Sequence, residues 1–132
     1  ALPWADRVAF AERMAASDMA AHARHANAGG PVFFDRGLPD VAGYLSLCDL
    51  PVPIDLRRAV EHMRYASPVF IAPFWLDIFA QDGERRQDAD EAERTCEVMW
   101  TTYTELGYRL VELPLDTPEG RLAFILEILG RA

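Results

Sequence analysis

Two short stretches of the chain carry residue types that could do chemistry together. The first is "PVFFDRGLPD", in which an apolar run, Val32 to Phe34, ends abruptly in Asp35-Arg36-Gly37. A carboxylate at the end of an apolar run can order Mg²⁺ through water or accept a proton from an attacking hydroxyl. The neighbouring guanidinium can fork onto phosphate oxygens. The second is "QDGERRQDADEAER", where Arg85 and Arg86 stand between a glycine break and a helical pattern. Paired arginines on a closing loop can neutralise charge that builds during phosphoryl transfer. Each stretch also has a plain reading. Asp35 could cap the next turn with Arg36 in solvent, and the arginines could belong to a solvated helix face.

Other chemistry is weakly supported. Asp18, His22 and His25 could approach one another on one helix, and two histidines with a carboxylate can bind a transition metal. No fourth ligand is apparent, however, and His22 falls on an apolar stripe. Cys48 and Cys96 form no CxxC pair and sit in no activating motif. Trp75 follows an apolar run and could wall a base or substrate pocket. The sequence contains no GxSxG, HExxH or GxGxxG. It also contains no GxxxxGK[ST], and with no lysine at all no variant of that loop can be hidden in it.

The elements that would position these groups follow from the apolar periodicity. Val8, Ala11, Ala15, Met19 and His22 recur at helical steps, and Gly29-Gly30 ends that pattern. "LPDVAGYLSLCDLPVP" is a short helix or loop. In "DLRRAVEHMRYA", Leu56, Val60 and Met63 share a helical face. Val69 to Ala72 is a second apolar strand. A long helix carries Ala92, Cys96, Met99, Tyr103 and Leu106, with Gly107 as its cap. "YRLVELP" is a third strand. A closing helix starts at Thr117 and Pro118 and presents Leu122, Ile125, Leu126 and Leu129 to a core.

Strands separated by helices predict parallel crossovers. The apolar runs are continuous, as expected for strands covered on both faces. The fold class is therefore α/β, a three-layer α/β/α arrangement around a parallel sheet. In such sheets ligands bind beyond the carboxyl ends of the strands, which selects Asp35, Arg36 and Trp75.

Composition narrows the partners. The 132 residues suffice for one domain, 1–132, with a lid region at about 80–92. A net charge of −8 argues against broad binding to nucleic acid or to an anionic membrane. No apolar run approaches the ~20 residues of a membrane helix. Two lone cysteines and no visible secretory signal place the chain in the cytoplasm. The first residue is Ala, leading directly into a helical pattern, and three strands are few for such a sheet. Both suggest a segment of a longer chain. Apolar surface near Val32, Phe34 and Val69 would then be uncovered, which leaves self-association open.

Taken together, "PVFFDRGLPDVAGYL", "VFIAPFWLDIFAQDGERRQDADEA" and "YTELGYRLVELP" resemble a small family of AAA-like ATPases of the P-loop kind. Its architecture is similar to that of nucleoside and nucleotide kinases. The resemblance covers nearly all of the chain. It implies a five-stranded parallel sheet whose first strand, P-loop and first helix precede residue 1. It gives Asp35 a role near Mg²⁺ or as base, Arg36 the acceptor or its phosphate, and Arg85 and Arg86 the transferring phosphates. The implied cofactors are ATP and Mg²⁺, and the implied partner is a small-molecule acceptor. The implied activity is that of a transferase or a hydrolase. A nucleotide-dependent regulatory module, or a fragment inactive by itself, remains as the alternative.

Overall fold

Alanine is the strongest helix former, and the first helix is built on it. Helix α1, Trp4–Arg24, carries Asp6 in its first turn and His22 and Arg24 in its last, so both ends oppose the helix dipole favourably. In the computed structural model, residues 4–75 and 86–130 are described. They fall into two compact units, Ala1–Tyr65 and Ala66–Ala132.

In the first unit, α1 packs on α2, Leu38–Leu47, and α2 packs on α3, Ile54–His62. Leu38, Val41 and Leu45 are spaced to share one face of α2, and all three are essentially inaccessible to solvent. Ala11 of α1 is buried as well. Phe10 meets Tyr44 edge-on, with ring centroids 5.5 Å apart. Leu56 and Val60, one turn apart on α3, complete the core of this unit.

The end of α2 is closed without glycine. Asp49 takes a left-handed backbone, φ 58°. The Leu50 amide then bonds to the Leu45 carbonyl at 2.9 Å and the Asp49 amide to the Ser46 carbonyl at 3.0 Å. This is the paired-bond closure in which an apolar residue just beyond the helix packs back. Leu50 is that residue, and it is buried.

In the second unit, strands β1, Val69–Ile71, and β2, Leu110–Glu112, pair in parallel with Val69 opposite Leu110 and Ile71 opposite Glu112. Helix α4, Arg86–Glu105, lies between them in sequence, as a parallel crossover requires. Gly107, at φ 86°, ends α4 as the sequence predicts. The Tyr108 amide reaches back to the Tyr103 carbonyl at 3.2 Å, and the two rings meet edge-on at 5.6 Å. Helix α5, Pro118–Gly130, begins at the expected place, where the Thr117 hydroxyl accepts the Gly120 amide at 3.1 Å.

The chain is thus a helix-rich α/β protein with a small parallel sheet. Two expectations differ from what is observed. Val32–Phe34 is not a strand: its three residues have no ladder partner, and its last ring is drawn into an aromatic cluster instead. The apolar face of α5 is not a buried one, since Leu122 and Leu126 are both more than half exposed. Two short strands offer too little sheet surface to cover it. Among the described residues, no helix is long and apolar enough to cross a membrane.

Candidate functional site

The Asp35-Arg36 turn sits at the amino end of α2. Both residues are exposed, whereas Gly37, Leu38 and Pro39 directly after them are buried. Gly37 is the residue preceding α2, in extended backbone, and makes no side-chain cap. The turn therefore presents its side chains to solvent next to the positive end of a helix dipole. Arg36 itself is held at φ 71°, a left-handed conformation that glycine adopts freely and arginine rarely.

An aromatic cluster anchors the segment leading into this turn. Phe34 lies against Tyr65 at 5.4 Å, His25 at 6.1 Å and His22 at 6.4 Å between ring centroids. His22 and Tyr65 meet edge-on at 5.1 Å. Two hydrogen bonds fix the cluster. The first backbone amide of α2, on Leu38, donates to the Tyr65 hydroxyl at 2.9 Å. His22 Nε2 lies 2.8 Å from the Arg64 carbonyl, and a carbonyl only accepts, so Nε2 carries the proton.

Tyr65 thus holds one of the helix amides that α2 cannot satisfy internally. Replacing Tyr65 with Phe keeps the ring and removes the acceptor. The expected loss is about 0.5–1.5 kcal/mol of stability in urea denaturation. Hydrogen exchange at the Leu38 amide should quicken in the same variant, and unchanged exchange would show that the hydroxyl does not hold this amide.

The histidine reading resolves in favour of structure. His22 is engaged by its backbone partner and by two ring contacts, and burial raises the Asp18 carboxyl above its ordinary value, which disfavours an anionic ligand there. Among the described residues, no group of three His, Cys, Asp or Glu is placed to hold a metal.

The remaining sequence candidates are distributed as follows. Trp75 is half-buried in the second unit, and the Arg121 guanidinium lies 5.8 Å from its ring centroid. Arg121 is itself fixed by its Nε–H, which donates to the Pro114 carbonyl at 2.9 Å. One face of Trp75 is thereby occupied by a cation. Arg86 is the first residue of α4, in the second unit, while Asp35 and Arg36 belong to the first. Arg85 lies outside the described residues, as does the start of the expected lid.

Sequence reasoning missed the role of Tyr65 and the aromatic cluster. The available signal was the recurrence of aromatic and histidine residues at His22, His25, Phe34 and Tyr65, which helical periodicity alone does not bring together.

The comparisons with known proteins come from the whole chain. No curated protein and no solved structure matches it. A family model, described as an AAA domain, matches residues 1–121. That match takes in both the Asp35-Arg36 turn and the Arg85-Arg86 stretch, and by it the chain belongs to the AAA domain family.

Proposed function

We propose that the full-length protein binds ATP as a P-loop protein and transfers its terminal phosphate, in a Mg²⁺-dependent reaction, to a small-molecule acceptor. Family membership supports nucleotide binding. The observation that carries the choice of site is the Asp35-Arg36 turn: a carboxylate and a guanidinium, exposed side by side at a helix amino end, with the arginine in a backbone conformation that disfavours it. A left-handed non-glycine residue costs about 1–2 kcal/mol, and such strain concentrates where a side chain has work to do.

In this proposal the three-layer, kinase-like sheet is completed by sequence upstream of Ala1, which also supplies the GxxxxGK[ST] loop that the 132 residues do not contain. Asp35 would help to hold Mg²⁺ through water or take the acceptor's proton. Arg36 would hold the acceptor or its phosphate, and Arg85 and Arg86 would close over the transferring group. Trp75 would line the acceptor side. ATP and Mg²⁺ supply the phosphoryl group and its charge neutralisation when bound, and positioning is the protein's main contribution to such a reaction.

The test has two parts. The gene upstream of Ala1 should encode a strand followed by GxxxxGK[ST]. The full-length protein should then transfer phosphate from γ-labelled ATP to nucleosides or other small hydroxyl compounds. Hydrolysis without transfer would make it an ATPase. Binding without either would make it a nucleotide-dependent switch.

A further inference from the structure

The second unit contains a cleft that none of these roles uses. It has a volume of ≈ 380 Å³, within the range of small-molecule sites. One wall is a single face of α4, contributed by Glu93, Cys96, Glu97, Trp100 and Thr101 at successive three- and four-residue steps. The other is the end of β1 and the chain after it, Ile71 to Phe74. Glu112, the last residue of β2, lines the cleft across from α4. The Cys96 thiol lies 4.0 Å from the Ala72 carbonyl and ties the two walls together.

The lining divides by chemistry. Ile71, Ala72, Pro73, Phe74, Cys96 and Trp100 make an apolar, partly aromatic floor. Among the described residues, the charged lining consists of three carboxylates, Glu93, Glu97 and Glu112, with no arginine or histidine. A phosphate would meet three like charges here, so this is not a second nucleotide-phosphate position. The field is felt inside the cleft: burial first, and Glu93 and Glu97 after it, push the Cys96 thiol above its ordinary value. Cys96 is accordingly a floor residue and not a nucleophile. Trp100 is 41% exposed, so an indole face is available to a bound group. Carboxylates around an exposed indole suit a cation, which gains from the ring quadrupole as well as from the ion pairs.

We propose that this cleft binds a small organic cation, an ammonium or amidinium-type group carried on a compact apolar body. Glu93, Glu97 and Glu112 hold the charge, and Trp100 and Phe74 hold the body. The volume favours a small molecule over a protein segment, and the three carboxylates set the sign of its charge. The site stands independently of nucleotide binding.

Isothermal titration at low ionic strength tests this with benzamidinium and with benzamide, its uncharged isostere. Benzamidinium should bind saturably with Kd in the range of about 0.1–1 mM, as a ligand of its size permits. Benzamide should bind at least ~10-fold more weakly. The double substitution Glu93→Gln/Glu97→Gln should weaken benzamidinium by about 2- to 10-fold while leaving benzamide unchanged, which is the difference expected from losing ion pairs to two exposed carboxylates. Glu112→Gln, on the opposite wall, should weaken it in the same sense, and circular dichroism of each variant shows that the fold is kept. Equal binding of the two probes, no saturable binding of benzamidinium, or undiminished binding in the folded variants would each overturn the proposal.

Discussion

Leu45→Ala should destabilise the first unit by about 2–5 kcal/mol. Leu45 is 2% exposed and belongs to the buried face of α2 with Leu38 and Val41. That face meets α1, where Ala11 is the buried residue. An alanine on one side leaves the leucines of the other to fill the space, so truncating Leu45 removes contacts that α1 cannot replace by moving a side chain. Among the described residues, no polar side chain is buried in this core to contribute by other means. Since domains of this kind are stable by about 5–15 kcal/mol in total, the loss is a large share of the whole. Leu122→Ala is the internal control. Leu122 is 56% exposed, and its truncation should fall within about 0.5 kcal/mol of no effect. Urea denaturation of the three proteins measures both. Equal costs at Leu45 and Leu122 would mean that the α1–α2 core is not where the first unit draws its stability.

Asp35→Asn has the largest expected effect on activity. In the proposed reaction this carboxylate orders the Mg²⁺ water shell or takes the acceptor's proton, and losing a positioned acid–base group typically slows a reaction by about 10²–10⁴-fold. Asparagine keeps the size of the side chain and removes its charge. Asp35 is exposed, so the substitution leaves the packing untouched and the stability should not move. Nucleotide affinity should be largely retained, because the phosphates are gripped elsewhere in this proposal. A fall in kcat with stability and nucleotide affinity both kept is the signature. A loss of stability instead would mean that Asp35 is a structural turn residue.

The parts of the fold that the sequence made legible are the ones set by local backbone chemistry. Gly107 ends α4 because only glycine sits easily at φ 86°, and Thr117-Pro118 begins α5 because a hydroxyl and a proline suit the first turn. The closure of α2 follows the same geometry with Asp49 in the glycine position, a weaker signal that periodicity passes over. What failed depended on distant partners. Val32–Phe34 has the composition of a buried strand, but a strand exists only against another strand, and Phe34 finds His22, His25 and Tyr65 instead. Leu122 and Leu126 have the spacing of a core face, but burial requires a surface to cover them.

The candidate site shows the same division. Asp35 and Arg36 were recognisable as an exposed charged turn from their position after an apolar run. The strain at Arg36 was not, because a residue's φ depends on how the chain enters and leaves it. The periodicity puts Cys96 in step with Ala92, Met99, Tyr103 and Leu106 along one helix. Tyr103 is indeed buried, while Cys96 faces the acidic cleft with Glu93 and Glu97. A period of three and four residues cannot separate two adjacent faces of one helix when both are partly apolar.

The most direct test of nucleotide chemistry at the Asp35-Arg36 turn is phosphate transfer from γ-labelled ATP by the full-length protein, with and without Mg²⁺, alongside Asp35→Asn. Mg²⁺-dependent transfer to a small hydroxyl compound, abolished by Asp35→Asn while ATP binding persists, is the predicted result. No binding of ATP by the full-length protein, or transfer that proceeds undiminished in Asp35→Asn, would contradict it.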